Sequence, residues 1–308
     1  MSWPFSLFIG SLVLCLSSLA QAEFRSRNDI GLGFTTNANL EDRDPKSDFF
    51  ARLVTNNVFT QANNRLGLKL GYQDYFAQNE SDVFSWRLSD TYSPRANGWS
   101  YTGALSGQQY PGGAPATTDV SFNNVGLEVS AEKSVLLTAA SEFAFGPGFQ
   151  IRRYGSDGGR TDPTLFGVAD LSFDPRGPFE WGVRTELGFV FSSDADYSRA
   201  YFEVGGDGGY RLNDSWKLRG DLTLRYSSFF NRTVSETTVT TRARGKLVTS
   251  VRDEMEAYSL VTLGIEAMKT LSESKSIGMA LTHSQQTSRS GYQDYAATDL
   301  LARFIFTF

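Results

Sequence analysis

Along most of this chain large apolar side chains recur at every second position, and charged, hydroxyl or glycine residues fill the places between. From Arg65 to Phe76, Leu66, Leu68, Leu70 and Tyr72 share one parity, and Arg65, Lys69 and Gln73 the other. Further on, Leu218, Leu222, Leu224 and Tyr226 alternate with Lys217, Arg219, Asp221 and Arg225. A period of two belongs to a β-strand with two unlike faces. A soluble sheet seldom sets so large an apolar face against two inward cations. A strand that crosses lipid does so by design, apolar side to hydrocarbon and polar side to the lumen.

The alternatives to such a barrel are few. After residue 22 no run approaches the eighteen or so apolar residues that a helical span needs, and the mean hydropathy is −0.29. The chain is therefore either a secreted soluble β-protein or a membrane barrel. Export is expected from the N-terminus, where the apolar stretch Phe5 to Leu16 precedes the small-residue site Ala20-Gln21-Ala22. No Lys or Arg stands before it, but the stretch is too short for a membrane anchor and reads as a signal peptide cut after Ala22. Cys15, preceded by Leu14, belongs to its core. Residues 23–308 then form one domain without cysteine, held by packing and hydrogen bonds alone. The net charge of −5 argues against a nucleic-acid partner. Gly205-Gly206-Asp207-Gly208-Gly209 opens no helix and has no phosphate-loop spacing, so aromatic cross-strand neighbours are expected beside it and no cofactor is called for.

Reading each strand by parity gives fourteen, with twelve and sixteen as the neighbouring counts. Connections at 60–64, 93–98, 131–134, 174–179, 211–216 and 270–275 are short, and every long one falls between them. Such alternation, with an even count, fits an antiparallel up-and-down barrel whose turns and loops lie at opposite ends. Residues 155–164 read as a polar loop. Between Asn231 and Glu256 the alternation persists while the apolar face gives way to Thr, Ser, Arg and Glu. This stretch is expected to be a hairpin extending into water beyond the membrane.

In the last eleven residues, Leu300, Ala302, Phe304, Phe306 and Phe308 make one aromatic-rich face, with Arg303 and Thr307 opposite. This resembles the closing strand of bacterial outer-membrane β-barrels. The resemblance implies a multi-pass protein of the Gram-negative outer membrane, reached by secretion to the periplasm. It also implies that Phe304, Phe306 and Phe308 belong to the signal read by the barrel-assembly machinery. By size the chain is similar to monomeric fourteen-stranded porins and transporters, whose partners are the surrounding lipid and small polar solutes in transit.

Parity places Arg65, Lys69, Arg87, Glu142, Arg184 and Glu186 on the lumen side, and with them Arg219, Asp221, Arg225, Glu266 and Arg303. Because the two signs are mixed, weak ion selectivity is expected of an open lumen, and a salt-bridge network of a closed one. The leading expectation is a porin-like channel for passive diffusion, with the hairpin as gate or recognition element. The alternative is a plugged scaffold whose outer loops bind a partner or an exported polymer. A lipid hydrolase is the third reading, since His283 faces outward near the rim; but position 285 is Gln and Ser284 has the opposite parity, so no nucleophile stands beside it. The acidic loop with Glu41, Asp42, Asp44 and Asp48 lacks an EF-hand pattern and reads as solvated.

Overall fold

The computed structural model describes residues 23–38, 40, 44–94, 98–111, 123–155, 159–174, 177–242, 246–291 and 294–308, with side chains of 236–253 left aside. The expected signal peptide, Glu41 and Asp42 lie outside the described residues.

Fourteen antiparallel strands close into a barrel: β1 (Glu23–Thr35), β2 (Asp48–Gln61), β3 (Asn64–Tyr75), β4 (Val83–Tyr92), β5 (Trp99–Gln109), β6 (Asn124–Leu136), β7 (Ser141–Tyr154), β8 (Thr161–Phe173), β9 (Phe179–Val190), β10 (Arg199–Arg211), β11 (Trp216–Arg242), β12 (Lys246–Ser272), β13 (Lys275–Ser288) and β14 (Tyr295–Thr307). Each strand pairs with its neighbours in sequence, and β14 pairs with β1, so the sheet has no free edge. That closure is what lets a backbone cross hydrocarbon with its amides paired.

The register carries the outward face from strand to strand. Phe304 lies opposite Ile30, Ile30 opposite Leu53, Leu53 opposite Tyr72, and Tyr72 opposite Phe84. These rows lie bare on the outside: Leu32 is 65% exposed, Met279 57% and Ile265 56%. A continuous apolar surface of this kind needs lipid to cover it.

Short connections and both described ends of the chain lie at one end of the barrel, and longer loops at the other. Past Phe229 and Tyr258, β11 and β12 lose their other strand neighbours and pair only with each other, from Thr233 opposite Met255 to Arg242 opposite Lys246. The two strands thus form a hairpin that projects past the loop end. A register shift between Ser228 and Thr233 marks its base.

Two expectations need correction. Residues 131–134 are strand, and the turn lies at 137–140, where the Leu137 and Thr138 N–H groups donate to the Ser141 carbonyl at 2.9 and 3.3 Å. The charges that made this stretch look like a solvent turn are accommodated in the wall: Glu132 lies 3.9 Å from Arg184, and Lys133 lies 5.9 Å from the Trp99 ring. The expected loop 155–164 is shortened because β8 already begins at Thr161. Within Gly205 to Gly209, Gly208 has the expected aromatic cross-strand neighbour, with Trp181 directly opposite; a Cβ on Gly209 would come within 3.0 Å of Glu180 and Lys217, so that glycine makes room for the ion pair. Aromatic rings cover other glycines directly across the ladder: Phe50 over Gly33, Phe166 over Gly148 and Tyr201 over Gly188.

Candidate functional site

The inner wall is the face opposite the lipid rows, and three regions of it differ in how their side chains are used. Along β9 to β14 many of the charges meet an opposite partner, while Arg219 and Asp221 stay accessible. Lys217 on β11 hydrogen-bonds Glu180 on β9, and Arg225 on β11 lies 3.5 Å from Glu203 on β10. Arg303 on β14 donates to Asp29 on β1 at 2.9 Å and to Glu266 on β12, and all three side chains are largely buried. Arg225 also lies over the Tyr201 ring at 4.4 Å, and the Tyr201 hydroxyl donates to Glu186 at 2.7 Å.

Along β2 to β7 the charges are mostly cations. Arg65, Lys69 and Arg152 form no ion pair among the described residues, and Arg65 and Lys69 are exposed although they face inward. Arg87 is the exception, donating to both carboxylate oxygens of Glu128 at 2.9 and 3.2 Å. A cavity of about 320 Å³ opens here, lined by Lys69, Arg87, Gln108, Asn124 and Arg152 among others. Further toward the turns Glu142, Asp170, Asp207 and Arg184 share one electrostatic neighbourhood.

The loop end of the lumen is packed. Phe50 stacks near Tyr75 at 5.6 Å and Phe229 near Tyr258 at 5.6 Å; Phe229 is 1% exposed and Phe50 3%. Tyr154 and Tyr201 are buried on the same inner face. A file of alternating rings and cations runs across this mouth. Arg160 lies between Tyr154 (4.1 Å) and Tyr197 (3.7 Å), and Arg232 between Tyr197 (4.8 Å) and Phe229 (4.7 Å); Arg199 follows at 5.6 Å from Phe229. Each such contact contributes about 0.5–2 kcal/mol, more where water is excluded. The file joins the β7–β8 and β9–β10 loops to the base of the hairpin.

Parity groups these charges on one face of each strand, but it does not say which of them meet. The aromatic mouth escaped it, because these rings share parity with polar residues; only their position at the loop-end termini of strands sets them apart. The closing strand also carries Leu301 and Ile305 inward and buried, so its inner face is less polar than Arg303 and Thr307 imply.

Elsewhere, His283 Nδ1 lies 2.9 Å from the Thr298 hydroxyl across the β13–β14 ladder, while Ser284 on the other face pairs with the Thr262 hydroxyl at 3.2 Å. Asp48 is occupied as a loop organiser, accepting the N–H groups of Phe49, Ala77 and Gln78 at 2.7 to 2.8 Å.

No protein-family model matches this chain, and no curated protein matches it in sequence. Among solved structures it is similar to the outer-membrane expressed OmpT of Vibrio cholerae, at 11% identity, with 93% of this chain and 97% of that one covered and a TM-score of 0.46. It is also similar to a bacterial polysaccharide outer membrane secretin, at 14% identity over 91% and 97% of the chains with a TM-score of 0.43. An anion-selective porin from Comamonas acidovorans is similar at 9% identity over 94% and 99%, with a TM-score of 0.46. Likeness at this level adds nothing to what the inner wall says about function. On its own closed sheet and bare apolar belt, the chain is a fourteen-stranded β-barrel of the transmembrane kind.

Proposed function

We propose that this barrel is a porin-like channel through which small polar solutes cross the outer membrane by passive diffusion. The observation that supports it most is the exposure of inward-facing charges: Arg65, Lys69, Arg219 and Asp221 all face in and remain accessible. A plug of salt bridges would leave such groups covered and paired, whereas a water-filled path leaves them hydrated. Mixed signs along that path make ion preference weak. In the same reading residues 1–22 direct export and are removed, and the aromatic face of β14 with Phe304, Phe306 and Phe308 is offered to the barrel-assembly machinery.

The test is single-channel recording with protein purified from membranes and inserted in a planar bilayer. Discrete, near-ohmic steps are expected. A barrel that stays silent while remaining folded overturns the channel.

One observation favours a second reading: the packed aromatic mouth, with Phe229 and Phe50 almost wholly covered. A barrel closed there would work through its hairpin, engaging a partner or an exported polymer. Lipid hydrolysis has less support, since His283 meets a threonine and no serine. Cleavage of phospholipid or lipopolysaccharide that disappears in His283→Ala would restore it.

A further inference from the structure

We infer that the recess in the inner wall between β3 and β7 is a binding site for an oxyanion, the carboxylate or phosphate group of a small solute. The inference deepens the channel reading, and rests on it for its use in transport, by naming a solute class and the residues that meet it. The recess is about 320 Å³, near the lower end of small-ligand pockets, so it suits one compact solute and not a polymer segment. Three cations line it: Lys69 from β3, Arg87 from β4 and Arg152 from β7. Only one is neutralised, because Glu128 takes both forks of Arg87 and is itself held by Gln150 Nε2 at 3.4 Å. Lys69 and Arg152 thus leave the recess with a local excess of positive charge inside a protein whose net charge is −5.

The second observation is an unmet donor. Arg152 Nε is buried and has no hydrogen-bond acceptor among the described residues. A buried N–H on a charged group is costly to leave unpaired, and a guanidinium meets carboxylate or phosphate oxygens through paired donors. Beside the cations stand two amides, Asn124 and Gln108, joined by a bond of 3.3 Å from Asn124 Nδ2 to Gln108 Oε1. That bond uses the oxygen of Gln108 and spares its NH₂ as a further donor for the anion. An ammonium-bearing solute finds no free carboxylate, since the one nearby is committed to Arg87.

Binding can be read without any current. Protein purified in detergent is titrated with inorganic phosphate, followed by 31P line broadening and by calorimetry, and then with acetate as competitor. Saturable binding is expected, weakened at least tenfold in Lys69→Gln and in Arg152→Gln. Arg152→Lys, which keeps charge but loses the paired donors, is expected in between, and Arg153→Gln, whose side chain lies on the outer face, is expected to bind as the parent does. Heat-modifiable gel migration checks that each variant is folded. Displacement of phosphate by acetate assigns the site to oxyanions generally, and phosphate binding without displacement assigns it to phosphate; both support the site. Absence of binding in the parent, or equal binding in Arg152→Gln and Lys69→Gln, overturns it. A conducting barrel that binds no phosphate refutes the site alone, and a silent barrel that binds it refutes the channel alone.

Discussion

The inner faces of β2–β7 and of β9–β14 are made from the same residue types, on strands with the same alternation, and they use their charges in opposite ways. Arg303 lies between Asp29 and Glu266, and Lys217 and Arg225 each meet a carboxylate. On the other side Arg65 and Lys69 stand in accessible space with no carboxylate partner among the described residues, and Arg87 alone is paired. At these clusters the β9–β14 wall uses its electrostatics to hold the sheet together. The β2–β7 wall leaves its field in the lumen, where it acts on whatever passes. Charge composition cannot distinguish the two; the distance from each cation to its nearest carboxylate does.

If that division is right, removing a cation should cost stability on one wall and selectivity on the other. The largest effect is expected for Arg303→Ala, which strands two largely buried carboxylates. Leaving such charges uncompensated costs about 3–5 kcal/mol, read as a lower urea midpoint for unfolding in lipid vesicles. A midpoint equal to the parent's would mean that the β14 cluster is hydrated and the two walls are alike. Next comes Arg87→Gln, on the open side. Its pair with Glu128 is bidentate but more than a third exposed at the arginine, so after screening the loss is about 1 kcal/mol. A loss as large as that of Arg303→Ala would erase the contrast. The smallest effect on stability is expected for Arg65→Gln, within about 0.5 kcal/mol of the parent. Its effect should appear instead as a reversal potential in a salt gradient shifted toward cations, visible at 0.1 M salt and largely screened at 1 M. No shift at low salt would show that Arg65 does not face the conducting path.

Much of the fold could be read from parity, for a physical reason: in a barrel the environment changes from lipid to lumen with every residue, so alternation is imposed on nearly every strand. Leu218 to Tyr226 and Leu300 to Phe308 lie outward as that rule requires. It failed at residues 131–134, where Glu132 and Lys133 find partners in the wall and so need no solvent turn. Several pairings were not legible because they depend on stagger between strands that are not neighbours. Arg87 on β4 reaches Glu128 on β6, and Arg303 on β14 reaches back to Glu266 on β12. Nothing within one strand specifies that stagger. The aromatic mouth escaped for a related reason: Phe50, Tyr154 and Phe229 satisfy no apolar periodicity, and become a group only when seven loop ends are brought to one rim.

The file of rings and cations at that rim also has a mechanical meaning. The hairpin beyond Thr233 is paired for ten residues on each strand, an arm of about 30 Å at roughly 3.4 Å per residue. Its fulcrum is the register shift at Ser228, and Arg232 and Phe229 at that fulcrum are clasped by Tyr197 and Arg199. A sideways load on the tip therefore arrives at the mouth as torque, multiplied by the length of the arm. A weak grip far outside the membrane has the leverage to prise apart contacts that a push on the rim itself would leave seated.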